Sequence, residues 1–403
     1  MRGLLANPHA RLLLVGQTCS MFGDTALFLV MGIWIKSLTG SSAAAGLVFF
    51  ALGLPNLVSP VGGYLVDRAH RRPILIGTNL SIGLVVLLLL LVHTSADVWI
   101  IYGVAVVYGA SMVILGSAQS AFLTIILPPE LLADGNGALQ TVRQGLRLVA
   151  PLAGAAMFAG LGGGFAAVVD AATFFIAAGC LWRIRVVEPP PHPARRHWAA
   201  EMIAGAVHVA ETRPLRRMVA AVAVALLVIG FMETAIFGVV GEGLHRPPSF
   251  LGVLSSIQGL GAVVGGLSAA RVLRRAGDGR LVAAGMALVA GGVALLTAGV
   301  LPVVMAGIIL AGAGIPWIII GFATAVQTRT PARLQGRVYS ATDTLLGGPQ
   351  VLSIALGAAL STVLDYRVLM MAVTLVTGAA AAYLLTRTPV LLEVGRTAEP
   401  VEG

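Results

Sequence analysis

The sequence predicts an all-α membrane protein, with twelve transmembrane helices in two pseudo-symmetric six-helix halves. Three observations carry that expectation. The first is an internal echo. Residues 62–72 read GGYLVDRAHRR and residues 265–275 read GGLSAARVLRR, matching at Gly-Gly, at one Arg and at Arg-Arg with a constant offset of 203. Gly154-Ala155-Ala156 recurs as Gly357-Ala358-Ala359 at the same offset, and Asp24-Thr25-Ala26-Leu27-Phe28 recurs as Glu233-Thr234-Ala235-Ile236-Phe237. A period near half of 403 residues means two copies of one unit, not a solenoid of short repeats. The second is composition: 58% of residues are hydrophobic and 11% charged, against about 25% charged in soluble domains. So little charge leaves most of the outside to face lipid. The 50 glycines suit close packing between membrane helices, where small residues let backbones approach. The third is the placement of the arginines. Together, internal symmetry in a membrane chain marks a secondary transporter fold.

A spanning helix needs about 20 mostly apolar residues. Breaking the chain at charged, Pro and Gly clusters gives spans at 11–36, 43–66, 73–93, 98–127, 134–160, 164–185, 216–241, 249–270, 280–299, 302–328, 335–362 and 367–386. The domains are then an N-terminal half (1–185), a linker (186–215), a C-terminal half (216–387) and a tail (388–403). Glu188-Pro189-Pro190-Pro191 stops the sixth span. Between His197 and Thr212, apolar Trp198, Ile203, Val207 and Val209 alternate with Glu201, His208 and Glu211. Two readings of that stretch stay open: a short helix lying on the inner membrane surface, or a plain connection.

The formal charge of +9 comes from 25 Arg and one Lys, and it reports topology instead of nucleic-acid binding. One set of loops holds Arg2, Arg11, Arg68, Arg71, Arg72, the 183–217 region, Arg271, Arg274, Arg275, Arg280, Arg329, Arg333, Arg337 and Arg387. The opposite set holds Lys36, Arg246 and Arg367. The positive-inside rule then puts both termini in the cytoplasm. Trp34 and Trp99 are expected as anchors at the outer interface, and Trp182 at the inner one. The expected location is a bacterial cytoplasmic (inner) membrane. The first apolar stretch is too long for a signal-peptide core and is read as a retained helix. Cys19 and Cys180 both lie in apolar spans, so neither a disulfide framework nor a metal site is indicated.

Twelve spans, a central linker and a repeated basic loop after spans two and eight resemble the major facilitator superfamily across nearly the whole chain. Its loop signature, Gly-x-x-x-Asp-Arg-x-x-Arg-Arg, is carried by Gly63, Asp67, Arg68, Arg71 and Arg72. In the second half Ala270 stands at the place of the acid, beside Arg271, Arg274 and Arg275. The resemblance implies that both loops form a cytoplasmic gating motif. Three segments are similar to the branch with macrolide-efflux proteins and the enterobactin exporter: residues 20–42, 127–154 and 335–350. That resemblance implies proton antiport. Span five departs from the general antiporter motif Gly-Pro-x-x-Gly-Gly, reading Ala150-Pro151-Leu152-Ala153-Gly154-Ala155.

Charges inside a bilayer are expensive and need a reason. Asp24 lies 13 residues past Arg11, roughly 20 Å into span one. A carboxyl there is placed to exchange a proton or to hold a cationic substrate; a structural partnership with an Arg or with backbone donors is the competing reading. Glu233 is the matching acid in span seven, and Asp343 is a third candidate in the polar stretch of span eleven. Arg143 and Arg147 share one face of span five. Arg147 is expected either to pair with an acid such as Asp24 or to bind an anionic part of a substrate. Asp170 is expected in a structural role, on a peripheral span six. Gln119, Gln140, Gln258, Gln327 and Trp317 are candidates for a wet cavity; each Gln equally suits a bond to a neighbouring helix, and Trp317 equally suits core filling.

No Walker sequence, no Gly-x-Ser-x-Gly and no His/Cys cluster with metal spacing occurs in the sequence. An enzyme and a cofactor are therefore not expected. The expected function is secondary active, proton-coupled efflux of small amphipathic compounds such as a drug, antibiotic, siderophore or secondary metabolite. The expected partners are that small-molecule substrate, protons and the lipid bilayer, with no nucleic acid, around a monomer. An importer or facilitator of a small solute on the same fold is the alternative, and a non-transporting membrane sensor or scaffold is the alternative of another class.

Overall fold

The computed structural model describes residues 7–58, 70–128, 131–186, 188, 198–331 and 334–387. Lipid offers no hydrogen bonds to an open backbone, so every crossing is a helix that satisfies itself. Span one is Pro8–Thr39, with Asn7 accepting from the His9 and Ala10 amides at 2.9 and 3.2 Å. That is an ordinary N-cap followed by proline at the first position. Gly40 closes the span in the left-handed region at φ 69°, which glycine adopts without a Cβ penalty. Span two begins at Ser42–Gly53 and tightens into the 3-10 turn Leu54–Val58. Span three is Arg71–Val86 with the extension Leu87–Leu91, and span four is Val98–Ile126. Spans five and six form one run, Leu132–Arg183, broken only at Gly162 (φ 80°, ψ 173°).

After the linker helix Trp198–Glu211, span seven is interrupted. Arg213–Ile229 is α-helical, the chain turns at Gly230-Phe231, and Met232–Gly238 and the π turn Val239–Gly243 complete the crossing. Spans eight to twelve are Leu251–Ala276, Asp278–Leu295 with Leu296–Ala298, Leu301–Arg329, Gln335–Leu360 and Tyr366–Arg387. Among the described residues ten helices are long and apolar enough to cross a membrane, one of them covering spans five and six, while the described part of span two is shorter. The loops at 40–41, 92–97, 244–250, 299–300 and 361–365 share one side, called here the far side. The terminal side holds residues 8 and 387.

Glycines set the closest helix approaches, and the repeat shows in them. Gly154 of span five sits on the backbone of Ala26 in span one, and Gly357 of span eleven sits on Phe231 in span seven. Gly109 meets the backbone of Leu52, and Gly312 meets that of Gln258. At such contacts a Cβ would meet main chain, so no side chain is able to yield. Between the halves, Gly46 abuts Thr234, Gly32 lies between Phe49 and Phe237, and Gly53 touches Val351. Gly252 and Gly259 of span eight lie against Pro151–Ala155 and Arg147-Leu148 of span five. These approaches run from the far side to mid-membrane.

Three expectations are settled by the packing. Trp99 and Trp182 are 71% and 69% exposed, which leaves the expected place of an anchor open to them. Trp34 is no such anchor: it is 7% exposed, wedged against Gly163 with Phe158 at 6.5 Å. Its place in span one faces the corner between spans five and six, which only glycine leaves open. Asp170 is not peripheral either; it is 1% exposed, because span six packs along span one. In the linker, the open choice falls to a helix, and its packing adds a contact: Gly205 lies on the backbone of Arg337 and Val338 in span eleven, and His208 Nε2 meets the Arg329 carbonyl at 3.2 Å.

Candidate functional site

Span one carries Asp24 about midway along its 32 residues. Its carboxyl turns toward spans four and six of its own half. The Tyr108 hydroxyl donates to Asp24 Oδ1 at 2.6 Å, and Ser20 Oγ reaches Oδ2 at 3.4 Å. The same phenol oxygen lies 3.4 Å from Asp170 Oδ2. One phenolic proton therefore serves two carboxyls that belong to helices one and six. Asp170 Oδ1 is buried and has no hydrogen-bond partner among the described residues. Gly23 makes the cluster possible, since a Cβ there would overlap the Asp170 carboxyl and the Thr173 hydroxyl. Phe174 holds the Tyr108 ring edge-on at 5.7 Å. No basic side chain bonds to either carboxyl among the described residues.

The other expected acids stand apart. Glu233 lies just past the break in span seven, its amide bonded to the Gly230 carbonyl at 3.2 Å, and its side chain has no partner among the described residues. Asp343 is exposed on span eleven. Arg147 forms no ion pair with Asp24; Arg143 and Arg147 are both exposed, together with Gln140 on the same helix. Gln140 and Arg143 lie terminal-side of the contact between spans five and eight, and Arg147 lies at its terminal-side edge. Gln119 and Gln258 are partly buried, and Gln327 is exposed. Trp317 donates its indole N–H to the Gly265 carbonyl at 2.9 Å and to Ser268 Oγ at 3.1 Å, which fastens span ten to span eight.

Above the acids, toward the far side, the repeated Phe28 and Phe237 flank Phe49. The ring centroids are 4.9 Å apart for Phe28 and Phe49, and 6.4 Å for Phe49 and Phe237. This aromatic stack closes the halves against each other at spans two and seven.

Of the expected gating motif, Gly63, Asp67 and Arg68 lie outside the described residues. Arg72 spends its guanidinium inside its own half, on the Leu181 and Trp182 carbonyls at 3.0 and 2.6 Å. Those carbonyls end span six, where a cation suits the negative end of a helix. Glu188 accepts from the Arg71 and Arg72 amides at 2.6 and 2.9 Å, capping span three. Arg271, Arg274 and Arg275 are exposed and make no ion pair among the described residues. In the second half Arg329, at the end of span ten, binds Asp278, at the start of span nine, through both terminal nitrogens.

Tyr108, Glu188 and the Asp278–Arg329 pair are the functional or structural partners that sequence reasoning passed over. A signal for the first existed. Span ten repeats span four at the offset of 203, and there Tyr108 is answered by Ala311. A buried tyrosine kept in one copy only is a residue to examine.

Two six-helix halves joined by a linker, packed through glycines and closed on one side, define a membrane-transporter scaffold. The comparisons agree. The Major Facilitator Superfamily profile matches residues 13–240, more than half of the chain, and the protein belongs to that family. No curated protein is matched by the sequence. Among solved structures, a bacterial homologue of the iron transporter ferroportin in an inward-facing state superposes with a TM-score of 0.70 at 16% identity, covering 95% of this chain and 98% of that one. A nucleoside transporter gives 0.75 at 11% identity, covering 94% and 99%. A peptide transporter of the POT family gives 0.75 at 11%, covering 94% and 97%. At these identities the likeness is one of fold.

Proposed function

We propose that the protein is a proton-coupled exporter of small amphipathic compounds that works by alternating access. The observation that carries this reading is the Asp24–Tyr108–Asp170 cluster. A half-buried carboxyl and a fully buried one, Asp24 and Asp170, joined through one phenol with no cation bound to either among the described residues, are groups able to hold and pass a proton. A proton-carrying group at mid-membrane is what couples a gradient to transport. The exposed Gln140, Arg143, Arg147 and Asp343 give the terminal side polar character, while Phe28, Phe49 and Phe237 supply an apolar wall toward the far side. That combination suits solutes with an apolar body and a few polar groups. Asp24 is the leading coupling group; Glu233, unpartnered beside a helix break, is the second.

The family's loop acid, Asp67, is carried over here as a latch between the halves together with its Arg neighbours. The arginine-rich side is assigned to the cytoplasm. Labelling of intact cells from outside checks this: a Cys at Ser95 is expected to react, and one at Ala199 to be protected.

The test of function is proton movement in proteoliposomes with a pH-sensitive dye trapped inside. Addition of a substrate from a panel of cationic and neutral amphipaths is expected to drive protons against the direction of the solute. Solute movement with no proton flux would instead establish a facilitator, and flux in the same direction as the solute would establish an importer.

A further inference from the structure

We propose that the terminal-side end of the C-terminal half is a binding site for the headgroup of an anionic phospholipid. Five helix ends enclose a cavity of about 310 Å³ there: Arg217 and Met218 of span seven, the joint of spans eight and nine at Gly277 and Asp278, Arg329 of span ten, and Leu384 and Arg387 of span twelve. That is about ten times the ≈ 30 Å³ that one water occupies in the liquid, enough for a headgroup and more than a solvent niche. The site is built by the fold. Gly277, at φ 78° and ψ 169°, is the single residue between span eight and span nine, and it needs glycine for that backbone. The floor is apolar and fixed, with Met218 3% and Leu384 2% exposed.

The charge at the mouth is unbalanced. Three arginines line the cavity with one aspartate. Asp278 is committed to Arg329 through both of its oxygens. Arg217 gives one nitrogen to the Arg387 carbonyl at 3.1 Å, which ties span seven to the end of span twelve. Its other nitrogens, and the exposed guanidinium of Arg387, have no acid among the described residues. The N-termini of spans seven and nine are offset by the C-termini of spans eight, ten and twelve at the same mouth, so the positive charge rests on the arginines. Every lining residue lies at a helix end, which is headgroup depth, and basic pockets between membrane helices select anionic lipids. A phosphate is the chemistry recognised. The apolar floor beneath it favours a lipid, whose acyl chain continues into the bilayer, over a free ion.

The test is lipid retention by native mass spectrometry of the full chain, released from nanodiscs of phosphatidylglycerol or of phosphatidylcholine. Phosphatidylglycerol is expected to stay bound and phosphatidylcholine to be stripped. Changing Arg217→Gln together with Arg387→Gln is expected to weaken retention about thirtyfold, as for two arginines near an anionic surface. Arg246→Gln, on the far side, is expected to leave it unchanged. Should the double variant not fold, Met218→Trp fills the floor with all arginines kept, and it is expected to expel the same lipid. Wild-type retention in either folded variant would overturn the proposal. So would full displacement of the lipid by millimolar inorganic phosphate, which would make the cavity a site for a free anion.

Discussion

The two halves are built alike and equipped differently. Spans four and ten are both 29 residues long and start 203 residues apart. The glycines that bring span five onto span one and span eleven onto span seven, Gly154 and Gly357, are also 203 apart. Yet Tyr108 is answered by Ala311, and Asp170 by Val373, both buried in the second half at 1% and 0% exposure. Asp24 sits in an unbroken helix with a phenol and a second carboxyl around it. Glu233, its repeat partner, follows a turn at Gly230 and has no side-chain partner among the described residues. What is shared between the copies is packing; what differs is polar chemistry. The comparison shows a duplicated scaffold that keeps its small residues in both copies and its polar cluster in one.

The sharpest way to break this comparison is Asp24→Asn, which keeps shape and removes the acid. Substrate-coupled proton flux in proteoliposomes is expected to fall to the level of protein-free vesicles, with the protein still assembled by size-exclusion chromatography. Unchanged flux would return Asp24 to a structural role. Next come the repeated glycines. Gly154→Leu and Gly357→Leu each drive a side chain into a neighbouring backbone, and each is expected to destabilise by about 3 kcal/mol or more. Thermal unfolding in detergent should show similar losses for the two, because both glycines stand at the same place in the repeat with a neighbouring main chain against them. A large loss for one and none for the other would refute the packing symmetry. Glu233→Gln is expected to reduce proton flux only a few fold; complete loss would make the two acids equal and remove the asymmetry. Tyr108→Phe is the mildest change. It keeps the ring against Phe174 and loses the hydrogen bond to Asp24, costing about 1 kcal/mol, and the same unfolding assay reads it.

The fold was legible because its determinants are local and repeated. Apolar length, Arg-bearing turns and an offset of 203 mark spans that the structure reproduces within a few residues, the terminal-side end of span two lying outside the described residues. The break in span seven was less so: Gly230 is one glycine among 50, and only its contact with Ser353 and Ile354 shows why the backbone turns there. For the site, Asp24 and Glu233 stood out as acids in apolar runs. Their surroundings did not. Whether Asp170 points at lipid or at Asp24 depends on the rotation of span six, and that is set by Gly23 on a helix well over a hundred residues earlier. Of the readings of Arg147, the pairing with Asp24 is not found for the same reason, since their distance is a matter of helix rotation and not of spacing.

Gly162 has a mechanical consequence. A single residue at φ 80° joins spans five and six, leaving no slack at the hinge. Span five is the rod that rests on the opposite half, through Pro151 and Ala155 against Gly252. Span six is the rod that bears Asp170. Two rods pinned at one end by a single joint behave as a pair of tongs: tilting the first swings the second. The hardware that senses the opposite half and the hardware that holds a buried acid are thus one lever, and lengthening its pivot with inserted residues would let the two ends move out of step.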